Sequence, residues 1–357
     1  MLIKNIKLQN FRNYKNLNLE LNKGINIFYG DNAQGKTNII ESIFLCSIGR
    51  SFRTSKEKEV ISIGENFSKI NIDYEKSDRS GNIKYEISDK KNIEINGVKI
   101  KKLSELLGNI NVVIFTPDDI NIIKGGPSGR RKFLDIMIGQ LKPAYVYNLN
   151  MYLKYLEQRN NYLKQIKVEK KSDEMLDIWD EKLAEYAEKI YNYRIYYINL
   201  IKEKINTIHS DITENIENIE IEYISDYVNK ENFKILLKNS QKNDIFRGFT
   251  TKGIHKDDFL IKINKKLVST YGSQGQHRTA ILSLKICELQ VMYDEIGEYP
   301  ILLLDDFMSE LDEKRRKSLL DNIKNIQVVI TCTEKMNLDN LEYNSYYVRN
   351  GKINQSI

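Results

Sequence analysis

The chain has 357 residues, 41% of them hydrophobic and 29% charged, which argues against disorder and allows two or three domains. Its 55 Lys and Arg against 49 Asp and Glu leave a formal charge of +6, which permits a polyanionic partner without requiring one. Three scattered cysteines (Cys46, Cys287, Cys332) with no CxxC pair support neither a disulfide framework nor a cysteine-rich zinc site. Apolar runs fall far short of the roughly 20 residues of a membrane span. The opening Met1-Leu2-Ile3-Lys4 carries no signal-peptide core. The expected address is the cytoplasm, with no membrane partner.

The first third reads as sheet. Leu2, Ile6 and Leu8 lead to Asn10-Phe11-Arg12-Asn13-Tyr14, after which Leu17, Leu19 and Leu21 alternate with polar residues at the period of a half-buried strand. A short strand follows Gly24 over residues 25–29, and from Thr37 apolar pairs recur at helical spacing (Ile39, Ile40, Ile43, Phe44). Strands resume near Lys69. The pair Asn96-Gly97, flanked by alternating residues, predicts a type I′ hairpin, and residues 111–115 form a buried strand ending at Thr116-Pro117-Asp118-Asp119. From Gly129 to His209 glycines are few, and Trp179, Leu183, Tyr186, Ile190, Tyr193, Tyr197 and Ile201 trace one helix face. This predicts a helical subdomain packed on itself; no heptad persists long enough for an extended coiled coil. Strands return near Ile221 and over 259–267, and the last third alternates strand and helix as α/β units do. The expected divisions are 1–120, 121–240 and 241–357.

Three stretches carry chemistry. Gly30-Asp31-Asn32-Ala33-Gln34-Gly35-Lys36-Thr37 fits G-x-x-x-x-G-K-[ST] between a predicted strand and helix. Glycines let backbone N–H groups close around phosphate oxygens, the lysine reaches the outer phosphates and the hydroxyl ligates Mg²⁺. A carboxylate at the end of a neighbouring buried strand should complete such a site, and Ile301-Leu302-Leu303-Leu304-Asp305-Asp306 supplies one. Ser273-Gln274-Gly275-Gln276 opens a helix. It is either a capping box or an anion site, and the two readings are compatible.

Ser273-Gln274-Gly275-Gln276 resembles the signature motif of ATP-binding-cassette (ABC) ATPases, with Gln274 for the first glycine. Asp305-Asp306 resembles Walker B plus a catalytic carboxylate, aspartate replacing the usual glutamate, and Ser309-Glu310-Leu311-Asp312 looks like a D-loop. Narrower features are similar to the RecF family of recombination mediators, over nearly the whole chain. They are Leu8-Gln9-Asn10-Phe11-Arg12-Asn13-Tyr14, Gly49-Arg50-Ser51-Phe52-Arg53-Thr54, Phe115-Thr116-Pro117-Asp118-Asp119, Lys124-Gly125-Gly126-Pro127 with Arg130-Arg131, and Gly253-Ile254-His255-Lys256-Asp257-Asp258.

The resemblance implies an α/β ABC-type P-loop ATPase head with an antiparallel β-subdomain and an inserted α-helical subdomain. It implies two heads sandwiching two ATP molecules. In each, Gly30 to Thr37 bind phosphates, Thr37 and Asp305 hold Mg²⁺, Asp306 assists water, and Ser273, Gly275 and Gln276 serve the partner's γ-phosphate. Arg12 either approaches the nucleotide or stays on the surface. No glutamine stands near Thr116-Pro117 where a Q-loop would, and Thr331, Cys332 and Thr333 stand where a switch histidine would; both departures suggest slow hydrolysis, a timer more than a motor. The implied function is DNA repair and replication restart: an ATP-dependent homodimer on double-stranded or gapped DNA, helping mediator proteins load a recombinase. Arg50, Arg53, Lys56, Arg130, Arg131 and Lys132 are candidate DNA-phosphate contacts or a solvated face. The alternative is an SMC-like or generic ABC-type head with another partner. A transporter subunit is opposed by the more than 230 residues between Lys36 and Ser273.

Overall fold

The computed structural model describes residues 1–77, 79–170, 172–338 and 341–356. The chain opens with β1 (Leu2–Phe11), β2 (Tyr14–Glu20), β3 (Ile25–Tyr29) and α1 (Lys36–Ile48), then β4 (Ser68–Glu75), β5 (Ser80–Ile87), β6 (Lys91–Ile95), β7 (Val98–Lys99) and β8 (Val112–Phe115). Next come α2 (Ile120–Lys124), α3 (Pro127–Leu141), α4 (Pro143–Glu169) and α5 (Leu176–Thr213). These are followed by β9 (Ile219–Ile224), α6 (Lys230–Arg247), β10 (Asp258–Ile263), β11 (Lys266–Leu267) and α7 (Val268–Tyr271). The chain finishes with α8 (Gln274–Ile296), β12 (Ile301–Asp305), α9 (Glu313–Asn322), β13 (Val328–Cys332), β14 (Tyr343–Arg349) and β15 (Lys352–Ser356).

Two compact units result: Met1–Ile120 with Asp211–Glu214 and Gln274–Ile357, and Asn121–Ser210 with Asn215–Ser273. The first holds two six-stranded sheets, one antiparallel in the order β2-β1-β4-β5-β6-β7 and one in the order β15-β14-β3-β13-β12-β8. In the second sheet β14, β3, β13, β12 and β8 pair parallel, and only β15 is antiparallel. Every residue of β12 and β13 is buried, as continuous apolar runs in a parallel sheet covered on both faces must be. Helix α1 contacts strands of both sheets, so it is apolar around most of its circumference and buries even Glu41, Ser42 and Ser47. In the antiparallel sheet Ile6 and Leu8 face inward while Lys7 and Gln9 face solvent. Asn96 and Gly97 take φ of 51° and 79° between β6 and β7, the turn their identity predicts.

The second unit combines α3–α6 with a three-stranded sheet, β11-β10-β9. Leu183, Ile190, Tyr197 and Ile201 of the predicted α5 face are fully buried. Residues 241–273 belong to this unit and not with the C-terminal stretch that follows, because β10 pairs with β9 from Asp258↔Ile224 to Ile263↔Ile219. His255 is held here too. Its Nε2 faces the Thr250 carbonyl at 3.2 Å, so that nitrogen carries the proton, and Nδ1 accepts from the Tyr152 hydroxyl at 2.8 Å. Burial holds this imidazole down to a pKa of about 4, and it serves as a neutral structural residue.

Candidate functional site

The loop between β3 and α1 spans 30–35. Gly30 and Gly35 have φ of 144° and 116°, and a Cβ would lie 2.4 Å from the Val348 carbonyl oxygen at the first and 2.6 Å from Asn13 Nδ2 at the second. Only glycine meets both demands. The loop is braced from outside: Asn13 Nδ2 donates to Gln34 O at 2.7 Å, Asn350 N donates to Gln34 Oε1 at 2.7 Å, and Gly351 N donates to Gln34 O at 3.2 Å. No side chain caps α1 at its N-terminus, so its first N–H groups and the positive end of its dipole face the loop. Lys36 is buried, and its Nζ donates to Gly30 O at 2.6 Å and Asp31 O at 2.9 Å. A cleft of about 420 Å³ opens here, lined among others by Arg12, Asn32, Ala33, Gly35, Lys36, Thr37 and Asp306.

Register brings the carboxylates in. Asp305 ends β12 and pairs with Thr331 of β13. One of its oxygens accepts from Thr37 Oγ1 at 2.8 Å and Thr331 Oγ1 at 2.7 Å. Burial raises its pKa above the usual carboxylate range, opposed by these two hydroxyls. Asp306 turns outward with φ of 49°, and its N–H donates to Thr331 Oγ1 at 3.0 Å. Thr331 therefore fixes both acids from the position where a switch histidine was expected; the clue was a hydroxyl ending the buried run Val328-Val329-Ile330 beside the Walker B strand. A hydroxyl and a carboxylate converging on one point beside an anion cradle suit Mg²⁺, which takes few protein ligands and completes its shell with phosphate and water.

A second network reaches the same cleft through Arg12, Arg53 and Glu59. Arg12 binds Glu41 through Nε at 2.9 Å and Nη2 at 2.6 Å, and its Nη1 donates to Glu59 O at 2.7 Å. Glu41, fully buried, also accepts from Ser51 Oγ at 2.5 Å and Arg53 Nη1 at 3.2 Å. Arg53, a candidate DNA contact by sequence, thus lines the same cleft as Arg12. Glu41 escaped the sequence reading; the signal was a lone acid inside Ile39-Ile40-Glu41-Ser42-Ile43.

The other basic candidates separate. Arg50 is exposed, and Lys56 is exposed beside Glu59 at 3.6 Å. Arg130 is corrected: it binds both oxygens of Asp258 at 2.6 and 3.0 Å and two carbonyls, with its side chain only 10% exposed, so it is an internal strut and not a DNA-facing cation. Arg131 is half-buried and donates to Asp257 O at 2.7 Å, whereas Lys132 is exposed. Ser273 stands exposed directly before α8. Gly275 O accepts from Arg315 Nη2 at 3.1 Å, and Arg278 meets Glu310 at 2.8 Å, which joins the start of α8 to the predicted D-loop. Gly275 and Gln276 are not among the cleft's lining residues.

Residues 5–220 match a family described as AAA domain. The DNA replication and repair protein RecF of Clostridium kluyveri is 47% identical, over 99% of this chain and 100% of that protein. Two solved structures of the recombination mediator protein RecF in the RecFOR pathway, RecF-ATPrS and RecF-ATP, superpose with TM-scores of 0.93 and 0.92 at 38% and 39% identity, covering 99% of this chain and 98% and 97% of theirs. The Smc head domain of Pyrococcus furiosus shares the fold alone, at TM-score 0.59 and 17% identity over 99% of this chain and 95% of that one. With an ABC-type head built around a braced phosphate loop, and a relative this similar over its full length, the chain belongs to the RecF family of DNA replication and repair proteins.

Proposed function

We propose that this protein binds ATP with Mg²⁺ in the cleft at Gly30–Thr37, dimerises on it, and in that form holds double-stranded DNA near single-strand gaps so that mediator proteins can load a recombinase. The observation that carries the reading is the meeting of Thr37 and Asp305 at 2.8 Å beside the buried Lys36. Lys36 exchanges its two carbonyl partners for phosphate oxygens, and backbone N–H groups of the loop and α1 take the rest. Thr37 and Asp305 would hold Mg²⁺, which would supply positive charge to offset that of the phosphates. Asp306, turned out of the strand into the cleft, orients and deprotonates the attacking water. Arg12 and Arg53 offer guanidinium groups to the nucleotide from the Glu41 side.

Ser273, Gly275 and Gln276 act in trans at the partner's γ-phosphate, which makes ATP part of the dimer interface and hydrolysis its release. With Thr331 in place of a histidine, hydrolysis is weak and serves as a slow timer. Arg50, Lys56, Arg131 and Lys132 remain the candidate DNA contacts. Light scattering with and without ATP and Mg²⁺, then with gapped duplex, tests this. The mass should double with ATP for the wild type and stay monomeric for Lys36→Ala; Asp306→Asn should remain dimeric and keep its DNA. An Asp306→Asn protein that stays monomeric in ATP refutes the sandwich.

A further inference from the structure

Helix α9 carries two successive arginines that grip different segments. Arg315 reaches the start of α8, where its Nε donates to Thr279 Oγ1 at 2.7 Å and its Nη2 to Gly275 O at 3.1 Å. Arg316 reaches the stretch between β12 and α9, where its Nη2 donates to Met308 O at 3.2 Å and Leu311 O at 3.3 Å. Neighbouring side chains on a helix point about 100° apart, so one pair addresses two segments at once. Asp312 fixes the helix end from which both project. It is the N-cap of α9, its side chain accepts from Arg315 N at 2.9 Å, and it also pairs with Arg315 Nη1.

A helix cap alone needs only Asp312 and a backbone N–H, yet this guanidinium spends two further nitrogens outside its own helix. Thr279 Oγ1, which accepts from Arg315, itself donates to Gly275 O at 2.9 Å, so a threonine and an arginine converge on one carbonyl. Thr279 is buried, and Gly275 lies two residues past Ser273. The guanidinium fork is planar with fixed donor directions, so it sets the place of that carbonyl relative to α9. Another link between the same segments, Arg278 to Glu310 at 2.8 Å, joins side chains 45% and 43% exposed and holds weakly. The Arg315 side chain is only 23% exposed.

We propose that Arg315 is a positioning residue for the partner head's nucleotide: by anchoring Gly275 and Thr279 to α9 it presents residues 273–276 preformed to the γ-phosphate bound by the other subunit. This role rests on the sandwich reading above, in which the start of α8 acts in trans. A preformed surface loses less freedom when it docks. Arg315 is not among the residues that line its own head's cleft. Its removal therefore spares ATP binding by the separate head and falls on assembly and on turnover by the partner.

Light scattering of the full chain in ATP and Mg²⁺ gives the dimer dissociation constant. Anisotropy of a fluorescent ATP gives the affinity of the single head, at protein concentrations where no dimer forms. Arg315→Ala should weaken the dimer by about tenfold or more, as loss of charged hydrogen bonds does, and leave single-head ATP affinity unchanged. Mixing it with Lys36→Ala should restore turnover beyond that of either variant alone. In the mixed dimer one nucleotide lies between an intact Lys36 loop and an intact Arg315 anchor, which a role confined to Arg315's own head would not produce. Should Arg315→Ala fail to fold, Thr279→Val removes one anchor and carries the same test with a smaller loss. An Arg315→Ala protein that dimerises as tightly as wild type, or that loses single-head ATP affinity, overturns the proposal. So does a mixture that gains nothing where Ser273→Ala mixed with Lys36→Ala does gain. A wild type that stays monomeric in ATP refutes the sandwich and the anchor with it, and that failure is seen before any variant is compared.

Discussion

Glu41→Gln tests whether the cleft's arginines rest on one buried carboxylate. Glu41 is completely buried and accepts four side-chain hydrogen bonds, two from Arg12 and one each from Ser51 and Arg53. Glutamine keeps one oxygen and turns an NH₂ toward a guanidinium that can only donate. It also removes the countercharge from Arg12, whose side chain is 18% exposed. Breaking a buried pair from one side costs about 3–5 kcal/mol, and the partial exposure of Arg12 places this case near the lower end. A loss of about 3 kcal/mol is roughly a hundredfold in the folding constant. Urea unfolding should show the midpoint moving with little change in slope, and ATP affinity should fall because Arg12 and Arg53 are released together. Arg12→Ala combined with Glu41→Gln should cost less than the sum of the singles. A Glu41→Gln protein within about 0.5 kcal/mol of wild type, or an additive double variant, would refute the argument.

Thr331→Val removes the donor to Asp305 and the acceptor of the Asp306 N–H; ATP turnover should fall while ATP binding persists, with Thr331→Ser restoring turnover, as single-turnover kinetics will report. Arg159→Met leaves Asp180 and Asp244 buried without their shared cation, costing about 3–5 kcal/mol; hydrogen exchange should show the loss in α4–α6. His255, held at a pKa of about 4 by burial, binds fewer protons folded than unfolded between that value and its ordinary one near 6.5. Its contribution is therefore complete above about pH 6.5 and lost as the pH falls to about 4, a change of about 3 kcal/mol; denaturation of His255→Gln across that window should show a shallower slope than wild type, and an identical slope would refute it.

Much of the head was legible because its signals are local. The phosphate loop, the β3 and α1 boundaries, the Asn96-Gly97 hairpin and the buried strand before Asp305 each follow from turn chemistry and hydrophobic period within a few residues. What escaped depends on pairing across long distances. Thr331 acquires its role only when β13 lies beside β12 in the register Asp305↔Thr331. Arg130 looked like a surface cation until Asp258, distant in sequence, closed a bidentate pair with it. Residues 241–273 read as the start of the last third because single-chain patterning does not reveal that β10 takes β9 as its neighbour. Glu41 was hidden by the opposite effect, an isolated acid in an apolar run whose partners come from a turn and a loop on either side of it.

The bracing of the phosphate loop carries one consequence for how the site is assembled. A glycine-rich loop left alone would lose conformational freedom when it closed on phosphate, about 1–2 kcal/mol for each residue fixed. Here that ordering occurs on folding, because Asn13 between β1 and β2 and Asn350-Gly351 between β14 and β15 both grip Gln34. Asn350 and Gly351 take φ of 48° and 67°, so the Asn-Gly pair supplies the left-handed turn that aims two N–H groups at the loop. The nucleotide cleft therefore depends on both ends of the chain having folded. Asn13→Ala should weaken ATP binding with little loss of global stability, because it frees the loop and leaves the sheet intact. Asn350→Pro removes an N–H and disfavours the positive φ, and should do the same from the other side. If each substitution leaves ATP affinity unchanged, the loop is ordered by its glycines and α1 alone, and the two turns are ordinary hairpin connections.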